Sequence, residues 1–231
     1  AGHLRRRSSG PRLCHETIYR HVYGPDGRRD ELFRLLPTGR RRRRPRFARK
    51  PRGLFVPEAN TIAVRPTTIG LRTDFGHWEG DLVAFGKEFG KANLTSLVER
   101  KSRYLLLARN PSRHSAGVMS GIASHLGKLP PRARRSITFD RGTEFAFFST
   151  LKRDLGIDSW FCKPQAPWQK GSVENTNGWL RRFLPRHTDL ATVSERDLQA
   201  IGERINATPR KCLGFRSPRE VLEEWLSEET R

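Results

Sequence analysis

Apolar and polar positions follow two different rhythms along this chain, and the change comes near Thr73. From there on, short apolar runs alternate with longer stretches of helical spacing. Asp81 to Phe85 (Asp-Leu-Val-Ala-Phe), Leu94 to Val98 and Tyr104 to Ala108 predict three successive strands, separated by two short polar breaks. Ser115 to Leu129 carries apolar residues at the period of a helix and stops at Pro130-Pro131. Ser136 to Asp140 predicts a fourth strand, Glu144 to Leu155 a helix, and Asp158 to Lys163 a fifth strand. Residues 164 to 170 read as a loop, and helices are expected over about 171 to 184, 194 to 206 and 218 to 226. The order is that of an α/β domain with a mixed five-stranded sheet flanked by helices.

Upstream of Thr73 the pattern is weaker and the charge heavier. Glu16 to Tyr23 has apolar or aromatic residues at positions 18, 19, 22 and 23, a helical period that Gly24-Pro25-Asp26-Gly27 then interrupts. Glu31 to Leu36 predicts a second short helix, ended by Pro37. Arg40, Arg41, Arg42, Arg43 and Arg44 follow, in a like-charge block expected to be disordered when nothing is bound. Residues 1–52 hold 17 basic against 4 acidic side chains, so they read as a basic appendage. Residues 53–72 are expected as a linker and 73–231 as the globular domain.

Charge narrows the partner. The 231 residues carry a formal net charge of +21, which calls for a polyanion, with DNA or RNA first and an anionic membrane a weaker option. No segment approaches the ~18 uninterrupted apolar residues of a spanning helix, and no signal peptide is recognisable. Cys14, Cys162 and Cys212 are far apart and form no CxxC pair. They fit a reducing compartment, which makes a cytoplasmic location the expectation. The chain opens on Ala1 inside an Arg-rich segment, as a piece of a longer protein would.

Three acidic residues have settings that suit catalysis. Asp81 heads an apolar run, Asp140 ends another and is followed by Arg-Gly, and Glu174 lies on a stretch of helical spacing. Two aspartates at strand ends and a glutamate on a later helix can converge on one point. Three carboxylates so gathered repel unless cations neutralise them, and an oxygen-only set favours Mg²⁺ or Mn²⁺. Taken singly, each has an ordinary alternative: Asp81 and Asp140 as solvent-facing or arginine-paired strand-end residues, Glu174 as a solvated residue of a basic helix. Glu79 and Glu144 lie near the same strand ends and read as supporting residues. Lys163, Lys170, Arg181 and Arg182 cluster around Glu174 and are assigned to backbone phosphate, with Asn175 and Asn177 as neutral groups that hold substrate or orient the carboxylate. Trp179 and Phe183, four apart, read as one buried helix face. His77 is a weak candidate for proton transfer.

The order of elements is the one an RNase H-like domain requires, in which the first and fourth strands are neighbours. Together the motifs resemble the DDE transposases of bacterial insertion sequences, in particular the insertion sequence thirty family. The resemblance rests on His-Trp-Glu-Gly-Asp at 77–81, Asp-Arg-Gly-Thr-Glu-Phe at 140–145 and Glu-Asn-Thr-Asn-Gly at 174–178. Glu-Thr-Ile-Tyr-Arg at 16–20, Pro-Arg-Lys-Cys-Leu-Gly-Phe at 209–215 and Ser-Pro at 217–218 support it. It departs at Arg141, where the family commonly shows Asn.

The resemblance implies a retroviral-integrase-type catalytic domain with Asp81, Asp140 and Glu174 as ligands of two divalent ions, Mg²⁺ or Mn²⁺. It implies cleavage of a strand at the element's end and joining of the freed 3′-hydroxyl to target DNA. Double-stranded DNA is then the partner, in the form of terminal inverted repeats and target, held by a homo-oligomer. The stretch around Thr17, Tyr19 and Arg20 is expected to be the tail of a helix-turn-helix region that reads the repeats. The family normally carries more sequence before that point, so a truncated copy or partial reading frame is expected. A DNA-binding protein without catalysis, or another RNase H-like nuclease, are the alternatives the sequence leaves open.

Overall fold

A computed structural model of the chain describes residues 10, 13–36, 39–43, 55–164 and 166–228. It divides into two compact units, residues 1–52 and 53–231.

The first unit is a short helical assembly. Helix α1 (His15–Val22) begins where the Cys14 thiolate or thiol sulfur accepts a hydrogen bond from the Thr17 N–H. The Gly-Pro-Asp-Gly run, a break by its sequence, opens a second helix, α2 (Pro25–Arg29). Proline at the first helical position has no N–H to leave unpaired, so Pro25 starts a helix as well as it ends one. Gly27 makes the close approach of α2 to α1 feasible, because a Cβ there would lie 2.3 Å from the His21 carbonyl oxygen. Leu32–Leu35 forms a 3₁₀ turn in place of the expected helix, and buries Phe33.

The second unit is built on five strands: β1 (His77–Ala84), β2 (Asn93–Glu99), β3 (Leu105–Asn110), β4 (Ser136–Phe139) and β5 (Asp158–Phe161). They lie in the order β3-β2-β1-β4-β5. β1–β2–β3 is an antiparallel meander, while β1–β4 and β4–β5 are parallel. Helix α3 (Thr67–Leu71) precedes the sheet; α4 (Ser115–Leu126) and α5 (Ser149–Leu155) join its strands; α6 (Gly171–Leu180), α7 (Glu195–Asn206) and α8 (Pro218–Glu228) follow it. The alternation of side chains along each strand sorts the core into two layers. Trp78, Leu97, Ile137 and Phe139 pack with α4 and α5. Val83, Leu94, Val98 and Leu105 pack with α6 and α7, through Val173, Leu180, Leu198 and Ile205.

Several boundaries differ from the sequence expectation. β1 starts at His77 rather than Asp81, because Trp78, Glu79 and Gly80 pair with Glu99, Val98 and Leu97 of β2. Its polar members hid that half of the strand. The stretch 144–155 is not one helix: a 3₁₀ turn at Thr143–Phe145 precedes α5 and stacks Phe145 on Phe139, with ring centroids 4.3 Å apart. The span expected as a linker belongs, over its described residues, to the second unit. Val56 and Ile69 are buried, and Thr61 pairs with Phe161 at the outer strand. Among the described residues no helix is long and apolar enough to cross a membrane.

Candidate active site

Strand register brings two of the acids together. His77, Trp78 and Glu79 of β1 stand opposite Ser136, Ile137 and Thr138 of parallel β4. Carried two residues further, the same register sets Asp81 beside Asp140, just past the end of β4. Period two along β1 also puts Asp81 on the face of Glu79 and Val83, the face covered by α6. Gly80 between them is required by packing. A Cβ on it would fall 2.6 Å from Phe139 Cε1.

The two aspartates share one cation. Lys170, 4 % exposed, donates from Nζ to Asp81 Oδ1 at 2.9 Å and to Asp140 Oδ2 at 3.0 Å. The remaining oxygens are held by the protein: Asn177 Nδ2 donates to Asp81 Oδ2 at 2.8 Å, and the Gly142 N–H to Asp140 Oδ1 at 2.9 Å. Burial disfavours the ammonium, but the Asp81 and Asp140 charges and their hydrogen bonds outweigh it and hold the Lys170 pKa above its usual value. Lys170 was expected at phosphate. It stands instead where two buried-edge carboxylates need a counter-ion, one helical turn before Glu174.

Glu174 is exposed and forms no ion pair among the described residues. Partial burial and the charges of Asp81 and Glu79 push its pKa up, against the pull of Lys170. No group of three His, Cys, Asp or Glu side chains among the described residues is gathered as a metal site. The donor set nevertheless fits a hard divalent cation. Asp81 Oδ1 and Asp140 Oδ2 already converge on one positive charge, and their outer oxygens are locked by Asn177 and Gly142.

Beneath this pair lies a buried ion pair that the sequence reading missed in part. Glu79, fully buried, pairs with Arg100, and its other oxygen accepts the Val173 N–H at 2.9 Å. Arg100 Nε also donates to the Ile69 carbonyl at 3.1 Å. Glu79 therefore ties β1 to the first turn of α6, the helix of Glu174. The available signal was an acid inside a strand beside a hairpin carrying an arginine at its end. Glu144 pairs with Arg113 at 3.0 Å.

His77 is a core residue. Its Nδ1 lies 2.8 Å from Ser136 Oγ, and burial, aided by the Arg135 charge, pushes its pKa down to about 4. The neutral ring is therefore the folded form, and the unfolded chain takes up the proton first as pH falls. The melting temperature of the parent should drop as pH is lowered from 6.5 to about 4. In His77→Asn that part of the decline should be missing, so the difference between the two unfolding profiles changes only inside this window. Parallel profiles would show that His77 is not the group.

The other expected DNA contacts are scattered. Arg181 is tied to carbonyl oxygens, donating to Ala84 at 2.7 Å, and its guanidinium lies over Phe85. Arg182 is exposed and lies 5.3 Å from the Trp179 ring centroid; Lys163 is exposed. Trp179 and Phe183 are only half-buried. Arg141 donates to the Cys162 carbonyl at 3.1 Å. Asn175 is exposed on a flank of α6 away from Asn177. In the first unit Thr17, Tyr19 and Arg20 are exposed on α1, Arg40, Arg41 and Arg42 are exposed beyond it, and Arg43 pairs with Glu16 and lies over Tyr19. Arg44 lies outside the described residues.

No family model matches the chain. Curated relatives do. The transposase for insertion sequence element IS1086 of Cupriavidus metallidurans is 39% identical, over 94% of this chain and 64% of its own length. The transposase InsI for IS30A of Escherichia coli is 35% identical over 98% of this chain and 61% of its own. The chain thus spans under two thirds of the length of these relatives. Among solved structures it is similar to the catalytic core of BIV integrase, with a TM-score of 0.51 at 18% identity over 68% of this chain and 99% of that one. A chain of the simian T-cell lymphotropic virus intasome gives 0.53 at 21% identity, over 64% of this chain and 54% of that one. These likenesses establish the fold as that of the integrase catalytic cores, RNase H-like. Sequence over nearly the whole chain and fold over about two thirds of it agree, and the chain resembles the IS30 family of insertion-sequence transposases.

Proposed function

We propose that this chain carries metal-dependent DNA cleavage and strand transfer at the ends of an insertion sequence. The observation that bears most weight is the meeting of Asp81 and Asp140, from neighbouring parallel strands, on the single cation of Lys170, one turn before Glu174. Asp81, Asp140 and Glu174 are the residues that would hold divalent ions, which supply an activated water or 3′-hydroxyl and a charge beside the departing oxygen. Asn177 and the Gly142 N–H fix the rotation of the two aspartates, so their inward oxygens stay aimed at one point. Lys170 offsets one of the two negative charges, which lessens the repulsion between the carboxylates. The exposed arginines of the first unit are assigned to duplex DNA and the active assembly to a homo-oligomer.

The chain should nick duplexes carrying the element's ends in Mg²⁺ or Mn²⁺, lose that activity in EDTA, and join the released 3′-ends to a second duplex. Cleavage without joining would make it another nuclease of this fold. Binding without either reaction would make it a DNA-binding protein only.

A further inference from the structure

A second flank of α6 carries a basic cleft that no catalytic role absorbs. Lys170, Glu174 and Asn177 recur at helical spacing on the side of the aspartates. Ser172, Asn175 and Thr176 lie on the adjoining flank, where with Arg72, Arg103 and Arg210 they line a cavity of about 300 Å³ that contains no acidic side chain. Arg103 Nη1 donates to Ser172 Oγ at 2.6 Å. Arg210 is 8 % exposed; its guanidinium stacks 3.9 Å from the Trp179 ring centroid, and its Nε and Nη2 have no hydrogen-bond partner.

Buried guanidinium donors without acceptors are costly, and three like charges around one cavity add repulsion. Burial and the neighbouring Arg103 charge both lower the pKa of Arg72 and of Arg210. Arg72 and Arg103 also sit at positive φ, 61° and 66°, a conformation unfavourable for a long side chain. An anion entering the cleft would relieve the repulsion among the three guanidinium groups that line it. Arginine forks match phosphate oxygens in pairs. The cleft lies on the helix that presents Glu174.

We propose that Arg72, Arg103 and Arg210 form a phosphodiester subsite that grips the backbone of the DNA strand next to the one held at the carboxylates. The assignment of DNA as the source of that phosphate rests on the function proposed above.

The test titrates a fluorescent duplex with the full chain in EDTA, across a series of salt concentrations. Arg210→Gln and Arg72→Asn should each weaken binding about tenfold, in line with the loss of one charged hydrogen-bonded contact. Each should also flatten the log–log salt slope by about 0.9. Arg153→Gln, which removes an exposed arginine paired with Asp154, should leave affinity and slope as in the parent. Asparagine tolerates left-handed backbone, so Arg72→Asn carries the test if Arg210→Gln, having lost its stack on Trp179, fails to fold. Parental affinity and slope in a folded Arg72→Asn overturn the subsite. A parallel arm adds inorganic phosphate alone. If phosphate raises the melting temperature of the parent but not of Arg72→Asn while the DNA slope is unchanged, the cleft is a small-anion site and the assignment to DNA falls. All of these readings are taken without metal, so failure of the cleavage assay would sink the proposed function and leave the cleft result standing.

Discussion

Asp140→Asn should lose Mg²⁺-dependent cleavage by on the order of a thousandfold or more, while binding duplex DNA at least as well as the parent. The substitution is nearly isosteric, and the amide oxygen can still accept the Gly142 N–H that now holds Asp140 Oδ1. What disappears is one of the two negative charges that converge on a single cation. Metal assistance is worth several kcal/mol of transition-state stabilisation, and each 1.36 kcal/mol is about tenfold in rate. Binding should hold or improve, since a carboxylate facing phosphate repels it. Cleavage kinetics and duplex titration on the same preparation check both halves. Parental cleavage in the variant would remove Asp140 from the chemistry, and with it the reading of the site.

The largest expected loss of stability is at Arg100. In Arg100→Met the fully buried Glu79 loses its partner. Removing one member of a buried pair costs about 3–5 kcal/mol, because the other charge is left uncompensated. For a chain of this size that is a fall in melting temperature of about 6–20 °C. Glu79→Gln placed in the Arg100→Met background should regain most of the loss: the amide oxygen still accepts the Val173 N–H, and no charge remains to be compensated. Thermal unfolding of parent, single and double variants decides it. A double variant no more stable than Arg100→Met would show that the charge on Glu79 is not what the arginine serves. The single variant should also lose cleavage, since Glu79 anchors the first turn of the helix that carries Glu174.

Element positions were largely readable because periodicity is a local property. The strands at 94–98, 136–140 and 158–163 and the helix from Ser115 are close to what the structure shows. The failures share a cause. His77 to Gly80 were left out of β1 because a strand that includes Glu79 looks polar until Arg100 neutralises it. The Gly-Pro-Asp-Gly run looked like a break because its own residues do not reveal that α1 leaves room for Gly27. Of the candidate site, Asp81, Asp140, Glu174 and Asn177 were marked by their motifs, but Lys170 was sent to phosphate. Its distance from both aspartates is a product of β1–β4 pairing and of the turn that enters α6.

Residue order alone was sufficient for the basic and acidic balance, the alternation of strand and helix, and the acids worth watching, since each depends on neighbours a few positions away. Which acids meet, which lysine stands between them, and which three arginines from positions 72, 103 and 210 share one cavity are consequences of strand register and helix docking. Those depend on side chains far apart in the chain competing for the same buried space, and no local pattern encodes the winner.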